Sequence, residues 1–279
     1  MPYLKKECKL PHRIEVEEVH SSRYGCKGIK PMPRQKKTPE EVKKTNERNR
    51  IKRLYRKIAM NFDYGDFHMQ LTYRKNERPT PEEAREVLRE FLRQLREVYK
   101  SREKALKYII TTEYEDKAIH HHLIVNEIGM TAKLVQRTWG RGIAFMNTIY
   151  ENGDVKDLAY YLIKESKNSF KDPDAPSKLS YSCSRNLIMP IEKVKIVSAN
   201  TWAKEPVPPQ GYWIPKDSVI TGISKVTGYP YRYYTCIQYD PETMTDEENY
   251  IKPRRRQNGN KIKPNDKPKP GRIPENQGI

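Results

Sequence analysis

"LKYIITTEYEDKAIHHHLIVN", Leu106 to Asn126, decides the fold. Two β-rich runs, Leu106–Tyr114 and Ala118–Asn126, are separated by a very short polar stretch, so they read as the arms of a hairpin. Side chains alternate across a strand, which puts His120 and His122 on one face and His121 on the other with Ile119 and Leu123. If Asp116 and Lys117 make the turn, Glu113 stands across from His120 on the same face. A one-residue slip would undo that pairing. Of the 6 His in the 279-residue chain, half sit here, at the head of an apolar run. Two imidazoles and a carboxylate are a mixed N/O donor set, suited to a divalent metal such as Mn2+ or Mg2+ with positions open for substrate. A pair of satisfied surface imidazoles is the plainer alternative, and Glu115 is the rival carboxylate, nearer the turn.

On either side of the hairpin the pattern continues. "DFHMQLTY" (Asp66–Tyr73) is a strand, and "TPEE" at Thr80 opens a helix with Ala84, Val87, Leu88, Phe91, Leu95 and Val98 at helical spacing. "TAKLVQRTW" is a short helix, Gly142–Gly153 a strand, and Asp154–Lys167 a helix capped by Asp154. The order β-α-β-β-α-β followed by a helix implies an α+β class, the ferredoxin-like or split βαβ arrangement. Its antiparallel sheet would have helices on one face and an open face for function.

The flanks read differently. Residues 1–37 are Lys- and Pro-rich without periodicity, an arm. A second "TPEE" at Thr38 starts a basic helix that runs to about Asn61, with Ile51, Leu54, Tyr55 and Ile58 as its apolar stripe. Its other faces carry Arg48, Arg50, Lys52 and Arg53, a solvated surface or a phosphate-contacting one. "KVKIVS", "SVITG" and "YPYRYYTCIQY" are short strands of a smaller extension. Beyond about Asp240 the composition is that of a disordered basic tail, where Arg254, Arg255 and Arg256 would bind phosphates without reading sequence. The chain therefore divides into an arm and helix (1–62), a core (63–190), an extension (191–240) and a tail (241–279).

The net charge of +18, from 54 Lys+Arg against 36 Asp+Glu, points to a polyanionic partner, nucleic acid before an anionic membrane. The opening residues lack the apolar region of a signal peptide, no run reaches transmembrane length, and the 4 Cys form no C-x-x-C pair, so a cytoplasmic setting without a membrane partner is expected.

"DLAYYLIKES" supplies a candidate nucleophile. Val155, Leu158, Ala159 and Leu162 form a buried stripe, and Tyr161 lies one turn before Lys164 on the helix surface. A tyrosine beside a lysine, close to a metal that polarises a phosphate, can attack it; both Tyr160 and Tyr161 could instead simply pack.

Together, the H-x-H strand, the upstream Glu113 and the later "AYYLIKE" helix resemble the HUH endonuclease superfamily, and more closely the rolling-circle replication initiators (Rep proteins) of bacterial plasmids and phages. "FHMQLTY" resembles that family's first motif, "AIHHHLIV" its metal motif with His120 and His122 as ligands, and Tyr161 and Lys164 its tyrosine and following lysine. "YSCSRNLIMP" also has a Rep-like look. The resemblance spans roughly Asp66 to Pro190. It departs at His121, where the family has a bulky apolar residue, and in offering a single-tyrosine site. It implies metal-dependent nicking and joining of single-stranded or hairpin origin DNA through a 5′-phosphotyrosine, leaving a 3′-OH primer. No G-x-x-x-x-G-K-[ST] occurs, so a separate helicase, like the polymerase, would come from the host. A relaxase or single-strand transposase shares the chemistry, and a non-enzymatic nucleic-acid-binding module shares the core topology.

Overall fold

Thr38 and Thr80 each open a helix in the same way. Each hydroxyl accepts from the backbone N–H three residues on, at Glu41 and Glu83, and each glutamate returns a bond to the cap's own N–H. Pro39 and Pro81 follow at the first helical position, where a missing N–H costs nothing. These signals start α1 (Pro39–Asn61) and α2 (Pro81–Lys100). The computed structural model describes residues 3–20, 38–115, 118–150, 155–171, 181–197, 203–224, 228–242, 244 and 247–253. The expected turn at Asp116 and Lys117, the cap Asp154 and the tail from Arg254 lie outside the described residues.

The core follows the expected order. β3 (Phe67–Leu71), α2, β4 (Tyr108–Glu115), β5 (Ala118–Val125), α3 (Thr131–Trp139) and β6 (Ala144–Thr148) form an antiparallel sheet in the order β6-β3-β5-β4. Each crossover skips one strand position, and a strand of the other unit fills it, the ferredoxin-like topology. β7 (Ser182–Cys183) extends the sheet beside β4. Gly142 marks the close approach of the chain before β6 to the end of β3, since a Cβ there would collide with the Thr72 carbonyl.

Strand parity sorts the core into two apolar clusters. Met69, Leu71, Ile110, Leu123 and Val125 pack against Phe91, Leu95 and Tyr99 of α2 and Val135 and Trp139 of α3. The opposite face was expected to be open, and it is not. There α1 and α4 (Val155–Lys171) lay Leu54, Ile58, Ala159, Leu162 and Ile163 over Ile109 and Ile124. The apolar stripes of both helices need cover, and one end of that face offers it. The other end carries Glu113, His120 and His122.

The first residues also depart from expectation. They are not an arm: β1 (Tyr3–Leu10) and β2 (Arg13–His20) form a hairpin in a second sheet. β8 (Glu192–Val197) pairs with β1, and β11 (Pro230–Gln238) with β2. Along its far edge β11 meets β10 (Ile220–Ile223) and then β9 (Tyr212–Pro215), which pairs with β12 (Tyr250–Ile251). Charge density hid these strands because their inward charges are paired: Glu18 is buried and accepts from Arg232 Nε at 2.7 Å and Nη2 at 2.6 Å.

α1 joins the sheets. Cys8 and Leu10 share a core with Leu54 and Ile58, and Arg56 reaches Glu15 at 2.5 Å and Glu192 at 3.1 Å. The "YSCSRNLIMP" segment acts as a strap: Ser182–Cys183 pairs with β4, and Asn61 of α1 exchanges two 2.7 Å hydrogen bonds with the backbone of Ile188. No helix among the described residues is long and apolar enough to cross a membrane.

Candidate functional site

The β4–β5 register places Glu113 opposite His120 and Thr111 opposite His122, and the strands pair out to Glu115 and Ala118. Glu115 is thus the last residue of β4. On the same face β3 contributes Gln70, opposite His122, and His68, opposite Ile124. His122 Nε2 lies 3.1 Å from Glu113 Oε2, and both are sealed from water, at 1% and 5% exposure. A carboxylate on one imidazole nitrogen fixes the ring's orientation and its tautomer. His120, next along the face, is half-buried.

α4 brings Tyr161 to these groups. Its ring stands edge-on to His122, with centroids 5.3 Å apart, and edge-on to His68 at 6.5 Å. Tyr161 remains 38% exposed, so its ring reaches the buried pair while staying open to a substrate. Lys164 is exposed one turn further on. The structure therefore brings Glu113, His122 and Tyr161 together, with His120 beside Glu113. The basic residues of α1 stand apart: Arg48 and Lys52 line a cleft toward the second sheet, while Arg50 and Arg53 are on exposed helix positions.

His68 is a site residue that sequence reading passed over. It stacks on His122 at 5.6 Å, and its Nε2 is buried without a hydrogen-bond partner. Burial, then the neighbouring His122, push its pKa down to about 4, so it is neutral and able to act as a ligand at neutral pH. Parity gave the signal, since Met69 and Leu71 face the core and His68 must face the other way. Phe145 was missed too. It pairs with Gln70, which pairs with His122, so all three share a face, and Phe145 is 56% exposed.

His121, on the packed face, resolves the family departure in its own way. Its Nε2 lies 2.8 Å from Tyr73 Oη and its Nδ1 2.9 Å from Thr112 Oγ1, and Trp139 meets it edge-on. Burial first, then its two histidine neighbours, drive its pKa down to about 3, so the ring is neutral: one nitrogen donates and the other accepts.

The donor types on the site face fit a divalent ion: two imidazoles of β5, the Glu113 carboxylate, and the orphaned nitrogen of His68. Among the described residues, though, no three such side chains are already drawn together around one point.

No curated protein and no solved structure matches the chain at a significant level. Residues 66–169, from the start of β3 into α4, match the family model of replication-associated protein ORF2/G2P, a match consistent with a rolling-circle replication initiator. The matched stretch includes Glu113, His122 and Tyr161, so it is the core that is similar to this replication-associated family.

Proposed function

We propose that the chain initiates rolling-circle replication by nicking and rejoining a single DNA strand through Tyr161. The observation that carries the reading is the Tyr161 ring edge-on to His122 at 5.3 Å, with Glu113 bonded to that same histidine. In the proposed step the phenolic oxygen of Tyr161 bonds to phosphorus and the bond from phosphorus to O3′ breaks. The phenol proton is passed on, so that the products are a 5′-phosphotyrosine and a free 3′-OH. One phosphoester replaces another, so no nucleotide is hydrolysed, and reversal rejoins the strand. His120, His122 and Glu113 would hold Mn2+ or Mg2+, which when bound orients and polarises the scissile phosphate. Lys164, one turn after Tyr161 on α4, would meet the charge that develops on the phosphate or phenolate. Arg48, Arg50 and Arg53, with Arg254, Arg255 and Arg256 outside the described residues, would neutralise phosphates of origin DNA, while Lys52 is held by Glu17 at 3.3 Å. Helicase and polymerase would be separate host proteins.

The test is incubation with a single-strand library and Mn2+, followed by denaturing gel and sequencing of the cut ends. A covalent adduct on Tyr161 with defined 3′-OH ends is the expected result. Binding with neither adduct nor cut ends would reduce the protein to a nucleic-acid-binding module.

A further inference from the structure

Between α1, α4 and the second sheet lies a cleft of about 1190 Å3. Small-molecule sites run to roughly 1,000 Å3, so this one suits a longer occupant. Its lining is strongly basic, and Lys6 and Lys52 neutralise Glu17 while Arg56 neutralises Glu15. Of the other lining charges, Arg13 is half-buried on the Tyr55 hydroxyl and Asp217 is an exposed carboxylate beside Lys216, while three exposed cations come each from a different element: Arg48 of α1, Lys156 of α4 and Lys216 just before β10. Tyrosines stand among them. Tyr160 is 52% exposed, and Tyr233 and Tyr250 are half-buried on the facing wall.

Cations spaced along a groove with aromatic faces between them are the physical requirement for holding a single nucleic-acid strand. The cations meet phosphates, and the rings stack on bases of any sequence. A duplex, with its bases already stacked, has no use for the rings. An acidic peptide would use the cations but not three tyrosines. Placement adds a second argument. Lys156 and Tyr160 are one turn apart on α4, and the residue after Tyr160 is Tyr161. The cleft therefore starts one side chain away from the proposed nucleophile.

We infer that this cleft is a binding track for single-stranded DNA flanking the phosphate presented to Tyr161. The inference rests on the proposed nicking function for its choice of DNA. It adds a role for the second sheet, which the ORF2/G2P match at residues 66–169 does not cover.

The experiment uses the full chain and a fluorescently labelled 30-nucleotide DNA of mixed sequence, as a single strand and as a blunt duplex, over a salt series. Replacing both Lys156 and Lys216 with Ala should lower single-strand affinity about 10- to 60-fold in low salt and flatten the log–log salt slope by about 1.4, two phosphate contacts at ~0.7 each. Tyr250→Ala should cost about 5- to 100-fold without changing that slope. Circular dichroism and a melting curve confirm that each variant folds; both lysines are exposed, so the double variant keeps the test open if Tyr250→Ala does not fold. Unchanged affinity and slope in the lysine variant overturn the track, as does a loss seen on the duplex and not on the single strand. Wild-type protein assayed in parallel for the covalent adduct separates the two readings: binding that depends on the cleft with no adduct sinks nicking alone, and adduct formation with indifference to the cleft sinks the track alone.

Discussion

Tyr160 and Tyr161 are adjacent in the chain and serve different chambers. Tyr161 stands against His122 and His68 at the sheet, while Tyr160 opens into the basic cleft beside α1. On the helix their side chains point about 100° apart with the exposed Lys164 between them, so the two openings adjoin along the exposed face of α4. Tyr161→Phe is therefore expected to bind DNA and metal yet form no covalent adduct. Tyr160→Phe should still form one, on Tyr161. Peptide mapping of the trapped adduct decides the matter, and a nucleotide on Tyr160 would reverse the assignment.

Metal affinity should track the site face. His120→Ala, His122→Ala and Glu113→Ala are each expected to weaken Mn2+ binding by about 10- to 100-fold or more. Calorimetric titration without DNA reads this directly. An unchanged isotherm for any one of the three removes that residue from the ligand set.

His121→Leu should leave Mn2+ affinity alone and lower stability. The leucine suits the packed face, but Tyr73 and Thr112 each lose the ring nitrogen they bond to. A buried group left unsatisfied costs about 1–3 kcal/mol. The denaturant midpoint measures the loss, and a midpoint equal to wild type would show that both hydroxyls find other partners.

On the proposed reading the exposed Phe145, on the same face as His122, would stack a DNA base. Phe145→Ala should weaken single-strand binding by about 1–3 kcal/mol, with the metal isotherm unchanged. Equal affinity in anisotropy titrations would return Phe145 to an ordinary exposed edge residue.

Acid should loosen the second sheet from α1. Burial pushes the Glu17 carboxyl up, yet Lys52 and Lys6 outweigh it and hold the pKa below the ordinary 4.5. A carboxyl depressed in the fold contributes stability that is fully present above its unfolded value and is lost as pH falls through the folded one. Glu17→Gln should therefore make the loss of stability below about pH 4.5 shallower. Denaturant midpoints between about pH 6 and pH 3 test it, and identical acid limbs would contradict the depressed pKa.

The core was legible because its signals are local. With Asp116 and Lys117 assumed as the turn, Glu113 could be placed opposite His120, as the register has it, and the caps at Thr38 and Thr80 fixed two helix starts. What stayed hidden depends on distant partners. Nothing near Leu54 and Ile58 says that they cover Ile109 and Ile124, so the site face was expected to be open. Nothing near Glu18 marks it as buried, because Arg232, its partner, comes 214 residues later. His68 is a different case: its alternation with Met69 and Leu71 was readable, but a lone histidine on a short strand gave no reason to look.

The second sheet also imposes an order of events on synthesis. β2 is made before the core, and its partner β11 begins at Pro230, 210 residues after His20. At about 5–20 residues per second the β2 edge waits roughly 10–40 seconds unpaired, and for most of that time the β1 edge does too, because β8 begins only at Glu192. The contiguous β3–β6 unit can form during that interval, because its pairings span short stretches of chain. A ribosome that stalls before Pro230 would leave β2 as an exposed strand edge, open to pairing with another nascent chain. Here the growing protein is most exposed to aggregation between the synthesis of β2 and that of β11.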